Sequence, residues 1–278
     1  MLSLFLAIFS SAMIAVVMRL STGRVKARFS MLAVNYGMCM LLSAVYAGFQ
    51  LLPREAPGFS VAVGMGVVNG ILYLLGFVLL QYNTAKNGVV LSSVFIRLGL
   101  LVPMVLSIFL FGEMPAALQW IGFLLAVGAI LLINWEKGTA ISGIKLPLVL
   151  MLLCGGSGDA MSKVFEVHGP AAYAEQFLFF TFFSAFLLCL LPVLRNKEKP
   201  DRSALLFGAL VGIPNFFSAK FLLMALGELP AVIVYPTFSV ATILVVTLAG
   251  VGLFKERLRK LQWVALAVIL AALILLNL

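Results

Sequence analysis

Apolar runs of 18 residues or more succeed one another along the whole chain, broken only by short polar punctuation. Runs such as LQWVALAVILAALILL show no period-two alternation, so they do not read as barrel strands. A run of this length crosses roughly 30 Å of hydrocarbon as a helix. Helices also pair their backbone N–H and C=O groups within one segment, as lipid requires. The pattern predicts ten spans, at 2–19, 30–50, 60–81, 88–111, 117–134, 147–166, 173–194, 203–226, 231–254 and 261–278. Pro53, Pro57, Pro115, Pro170, Pro200 and Pro230 stand at or beside the connections, where a missing N–H costs little. The longest hydrophilic connection, NWEKGTAISGIK at Asn134–Lys145, divides the chain into residues 1–137 and 138–278, with five spans each. The first run has no basic segment before it and reads as a retained span, not a signal peptide.

Composition agrees with the pattern. Of 278 residues, 63% are hydrophobic and 10% charged, against about 25% charged in a soluble domain. The expectation is an all-α membrane protein. Cys39, Cys154 and Cys189 are isolated in apolar stretches and His168 is the single histidine, so neither a disulfide framework nor a metal cluster is expected. No cofactor or ATP-binding motif is seen, and no nucleophile–base arrangement points to an enzyme.

Charge adds an orientation. Of 19 Lys and Arg residues, all but Arg54, Arg97, Lys163 and Lys220 fall in or beside the odd-numbered connections. Positive charge favours the cytoplasmic side, which predicts both termini outside. The net charge of +9 is thus a topology signal, and no nucleic-acid partner is expected.

One phrase occurs twice. LFGEMPAALQWIG at Leu110–Gly122 returns as LFKERLRKLQWVA at Leu253–Ala265, with Leu, Phe, Glu, Leu, Gln and Trp kept. Each copy stands between the fourth and fifth span of its half. At the same offset, NTAKNGVVLSSVF falls on LGELPAVIVYPTF. An odd number of spans per half makes the second half enter the membrane from the opposite side. The prediction is therefore ten transmembrane helices as two inverted five-helix repeats, an architecture of secondary transporters. Glu113 and Glu256 read as acids at the N-termini of helices five and ten, where the dipole favours negative charge.

Ionisable groups inside apolar spans are costly and are the default site candidates. Asp159 lies in GGSGDAMSK of the sixth span, and Lys163 follows four residues on, a spacing that favours an ion pair. The pair reads either as a coupling site or as a self-neutralising structural pair. Gly155 to Gly158 read either as tight helix packing or as a local break. Arg97 lies within the fourth span with no acid near it in sequence, and a guanidinium there can hold a carboxylate in a two-pronged contact. Lys220 lies near the end of the eighth span, where snorkelling accounts for it, and Glu175 reads as interfacial. Asn69, Tyr73, Ser93, Asn215 and Tyr235 supply neutral hydrogen-bonding groups in the third, fourth, eighth and ninth spans. Each alone is also explained as helix-packing glue.

The chain resembles the EamA-type transporters of the drug/metabolite transporter superfamily. The resemblance rests on Gly112-Glu113 with Gln119 and Gly122, on Lys255-Glu256-Arg257-Leu258 with Gln262, on Arg19 closing the first span, and on the turns TAKNG and GELPA. It covers essentially the whole chain. It implies a multi-pass transporter of the cell membrane, the inner membrane in a bacterium, with a central cavity built from the third and fourth helices of both halves. Two features depart from the family: Asn35 stands where members usually have an arginine, and members generally keep both termini in the cytoplasm.

Together these readings lead to a secondary transporter of a small polar metabolite such as an amino acid, by alternating access around a midplane cavity. Arg97, Asn69, Tyr73, Ser93, Asn215 and Tyr235 are the substrate-binding candidates, and Asp159 and Lys163 the coupling candidates. The excess of deep cations points to a carboxylate-bearing substrate. The expected partners are that substrate and the lipid bilayer, with the chain a monomer or homodimer. The competing reading is a non-transporting membrane subunit or scaffold whose polar residues only pack helices.

Overall fold

The computed structural model describes residues 1–21, 23–51, 58–87, 95, 98–133, 146–255 and 260–278. Among these residues the regular structure is entirely helical. The α-helices are α1 (Leu2–Ser21), α2 (Arg28–Tyr46), α3 (Phe59–Asn87), α4 (Leu101–Phe111) and α5 (Ala117–Ile133), followed by α6 (Leu146–His168), α7 (Ala174–Arg195), α8 (Arg202–Glu228), α9 (Ala231–Phe254) and α10 (Lys260–Leu276). A 3₁₀ turn at Ala171–Tyr173 leads into α7. Seven of these segments are long and apolar enough to cross a membrane: α1, α2, α3, α6, α7 with its leading turn, α8 and α9. The remaining three are apolar but shorter.

Two boundaries differ from the sequence expectation. Helix α2 stops at Tyr46, where Gly48 and Phe49 take left-handed backbone conformations that end it. Helix α3 runs past residue 81 to Asn87. Its polar tail is stabilised by Asn83, which is fully buried and donates from its amide to the carbonyls of Leu79 and Pro147, each at 2.8 Å. The satisfied amide lets the helix continue where hydropathy alone ends it.

The chain forms two compact units, residues 1–74 with 164–225 and residues 75–163 with 226–278. Each draws on both halves of the sequence. In the first unit α2 packs along α7. A core of Val17, Ala27, Met31, Ala204, Phe207 and Val211 joins the end of α1 to the starts of α2 and α8. Aromatic pairs extend this packing, with Phe165 stacked on Phe177 at 4.2 Å between centroids and Phe182 against Phe216 at 6.5 Å.

In the second unit α5 packs along α10, and α9 packs on both. Their shared core includes Met104, Phe123, Ala126, Ile130, Val240, Ile243, Ile269 and Ala272. Small residues here permit close packing. A Cβ placed on Gly156 of α6 would lie 2.7 Å from Cβ of Val102, so only glycine fits. Helix α6 is unbroken across Gly155–Gly158, which decides between the two readings of that stretch in favour of packing. Large apolar side chains such as Phe109, Leu124 and Ile274 stay exposed, a surface suited to lipid and not to water.

The repeated phrase has a repeated conformation. Helix α4 ends on Gly112 at φ 67°, and the N–H of the next residue, Glu113, donates to the carbonyl of Ser107 at 3.2 Å. Helix α9 ends on Lys255 at φ 54°, with a backbone N–H at the cap donating to the carbonyl of Gly250. Both are left-handed terminations that satisfy a carbonyl of the last turn. A lysine in this conformation is strained relative to glycine, yet the geometry is kept.

Candidate functional site

Helix α4 terminates at Gly112, and the side chain of Glu113 just beyond it reaches α6 and α9. Its Oε1 lies 2.9 Å from Nζ of Lys163 on α6. Its Oε2 accepts the N–H of Ala231 at 2.6 Å and of Val232 at 3.3 Å. Those N–H groups open α9, where Pro230 precedes the first turn and the helix presents unpaired donors and a positive dipole end. One carboxylate therefore holds an ammonium and a helix N-terminus together. The side chains of Lys163 and Glu113 are only 8% and 17% exposed, so water screens the pair weakly. Lys163 also lies 5.9 Å from the centroid of the Phe111 ring.

Two expectations are corrected here. Glu113 caps α9, not the helix that begins after its own turn. The i, i+4 pair expected of Asp159 and Lys163 gives way to the Lys163–Glu113 pair. A lysine stem is long enough to leave its own helix, and Glu113 is already fixed by two N–H donors, so it is the better organised acceptor.

One turn further into α9, Tyr235 is 2% exposed and donates its hydroxyl to the backbone carbonyl of Asp159 at 2.7 Å. Helices α6 and α9 are thus joined twice, through Tyr235 and through Glu113. Asp159, Lys163 and Tyr235, singled out separately in the sequence, belong to one cluster. On the same helix, Thr237 accepts a hydrogen bond from the amide of Asn277 at 3.3 Å.

The first unit holds a second set. Asn69 on α3 is 1% exposed and donates to Oγ1 of Thr181 at 3.4 Å, while its own Oδ1 is buried without a hydrogen-bond partner. Asn215 on α8 donates to Oδ1 of Asn35 on α2 at 3.1 Å. The Cys39 thiol donates to the carbonyl of Gly212 at 3.2 Å. The position where family members usually carry an arginine is therefore built into a neutral amide pair. Ser218 donates to the carbonyl of Ala7 at 3.5 Å. Tyr73 is half-buried on α3. Arg97 and Ser93 lie outside the described residues.

Snorkelling does not account for the remaining deep cation of the first unit. Lys220 on α8 is ion-paired with Glu175 at the start of α7, and its ammonium lies 3.9 Å from the centroid of the Tyr46 ring. Phe216 stands 5.9 Å from the same ammonium. The second carboxylate oxygen of Glu175 is buried without a hydrogen-bond partner. The available signal was the first-turn position of Glu175 and the aromatic run around Phe216, but the partners lie too far apart in sequence for spacing to pair them.

Seven long apolar helices, with charged and amide groups held inside, mark a multi-pass membrane protein. The profile of the EamA-like transporter family matches residues 1–135 and 141–278, and the chain belongs to that family. It is 24% identical, over 97% of its length and 95% of the relative's, to an uncharacterized protein of Haemophilus influenzae. A solved crystal structure shares the fold with a TM-score of 0.74 at 18% identity, covering 99% of this chain and 94% of that one. Members of the family are membrane transporters of the drug/metabolite superfamily.

Proposed function

We propose that the chain is a secondary active transporter, an exporter or exchanger, of a small polar metabolite of the amino-acid class. It would work by alternating access around a midplane cavity between two inverted repeats. The observation that carries this reading is the cluster of Glu113, Lys163, Asp159 and Tyr235 on the N-terminus of α9. Charge buried on helices in lipid is expensive unless it is used, and a carboxylate resting on a helix N-terminus is an anion seat that a substrate carboxylate can also occupy. The absence of an ATP-binding motif makes an ion or substrate gradient the driving force.

In this reading Asn69, Tyr73, Asn215 and Tyr235, with Arg97 and Ser93, contact the substrate, and Arg97 takes its carboxylate. Asp159 carries the coupling proton or cation, with Lys163 beside it. The pairing of α2 with α7 and of α5 with α10 supports the repeat, since these are the second and fifth helices of the two sequence halves. The chain acts as a monomer or homodimer in a bacterial inner membrane, as the Haemophilus relative allows.

The test is reconstitution into liposomes with uptake and counterflow measured over amino acids, nucleosides, sugars and polyamines. Movement of a carboxylate-bearing solute, lost in Arg97→Ala, is the expected result. If folded protein moves no solute, and neither Arg97→Ala nor Asp159→Asn alters ligand-induced thermal stabilisation, the reading fails in favour of a scaffold.

A further inference from the structure

On the first unit, an apolar groove of about 410 Å³ runs along α2 and α7. Its walls include Ala33, Gly37 and Leu41 of α2 with Phe186 and Leu190 of α7, and Ser30, Val193 and Pro200 close one end. From Ser30 to Leu41 the groove follows α2 for about 16 Å at 1.5 Å per residue. That is roughly half of a 30 Å hydrocarbon core, the reach of one acyl chain.

The Ser30 end is electrically distinct. Arg28 precedes Ser30 by two residues, and Lys199 and Arg202 flank Pro200; all three are exposed, as are Arg24, Lys26 and Lys197 of the same two connections. The two acids among them, Glu198 and Asp201, offset only part of the charge of these six cations. Glu198 accepts the N–H of Ser30 at 2.9 Å, and Asp201 accepts the N–H of Ala204 at 2.8 Å, so each is committed to a helix N-terminus. The Ser30 hydroxyl, in a residue 3% exposed, is buried at the groove end without a hydrogen-bond partner. A basic rim, an unused hydroxyl donor and a chain-length apolar groove match the three parts of an anionic phospholipid.

We propose that this face binds one anionic phospholipid, with an acyl chain in the α2–α7 groove, its phosphate on the cations of the α1–α2 and α7–α8 connections, and Ser30 donating to its ester region. Exposed basic residues attract an anionic leaflet, and the groove adds a defined seat to that diffuse attraction. The site does not depend on the transported substrate.

The test uses native mass spectrometry and thermal shift on the full chain in detergent. The probes are phosphatidylglycerol, phosphatidylcholine, glycerol 3-phosphate and inorganic phosphate. The expected result is one retained phosphatidylglycerol and a stabilisation at least tenfold more sensitive in concentration than with phosphatidylcholine, with neither soluble phosphate acting. The triple variant Arg28→Ala, Lys199→Ala, Arg202→Ala should lose that preference while keeping its melting temperature without lipid. Gly37→Leu, which fills the groove, should lose lipid retention; if it fails to fold, the triple variant still decides. Equal response to the two lipids, the same shift with inorganic phosphate alone, or an unchanged preference in the triple variant overturns the proposal.

Discussion

The carboxylate of Glu113 lies 2.9 Å from the ammonium of Lys163 while its other oxygen takes the first N–H groups of α9. A turn between two helices is thereby fastened to two others, α6 and α9, by one side chain. The glutamate of the twice-written phrase is a tether, and left-handed termination of the preceding helix at Gly112 is what aims it.

Removing either charge should strand the other. Glu113→Ala leaves a buried ammonium and two open N–H groups, and a broken buried pair costs about 3–5 kcal/mol. Lys163→Met leaves a carboxylate that still has its two N–H donors, so its cost should be smaller. The double variant should be more stable than the sum of the two losses implies. Thermal melts of the four proteins in detergent measure this coupling, and strictly additive losses would show that the pair has no energetic role.

Tyr235→Phe removes one hydroxyl and leaves the Asp159 carbonyl without its side-chain donor, a loss of about 1 kcal/mol in stability. If the cluster serves transport, the same change should weaken apparent substrate affinity about tenfold, a difference of about 1.4 kcal/mol. Asp159→Asn should abolish gradient-driven accumulation while leaving solute exchange. Uptake and counterflow assays on matched amounts of protein separate these effects. Loss of both modes in Asp159→Asn would reassign that residue from coupling to binding.

The spans and the family were legible because a hydrophobic run carries its meaning locally. Helices stand among the described residues of each predicted span, seven of them long and apolar enough to cross a membrane, while residues 88–94, 96 and 97 of the fourth span lie outside the described residues. Helix α3 outruns its hydropathy because Asn83 finds a carbonyl partner, Pro147, on another segment. The candidate site was half legible. Asp159 and Lys163 stood out by type, and Tyr235 as a hydrogen-bonding group within an apolar span, but their partners depend on which helices meet. Glu113 reaches Ala231, far along the chain, and Lys220 meets Glu175 and Tyr46, which no spacing rule connects. Helical periodicity tells which face a residue shares, and long-range packing tells who stands opposite.

The Lys220–Glu175 pair should respond asymmetrically. Lys220→Met leaves Glu175 with a buried oxygen that already lacks a hydrogen-bond partner. Glu175→Gln leaves the ammonium over the Tyr46 ring, where the cation–π attraction persists at about 1–2 kcal/mol. Lys220→Met should therefore lower the melting temperature more than Glu175→Gln, and Tyr46→Leu should sensitise the protein further to Glu175→Gln. Equal losses in the two single variants would remove the aromatic ring from the account.

Orientation offers a direct check on charge as a topology signal. The positive residues cluster in the odd-numbered connections, so a cysteine added at either terminus should react from outside with a membrane-impermeant maleimide. The native thiols interfere little, since Cys39 and Cys189 are fully buried and Cys154 is half-buried. A cysteine placed at Lys199 should label only after the membrane is opened, giving the complementary signal. Protection of both termini in intact cells, with labelling at position 199, would reverse the assignment to the cytoplasmic termini usual in the family. The basic connections would then face outward, and the anionic-lipid site would belong to the outer leaflet.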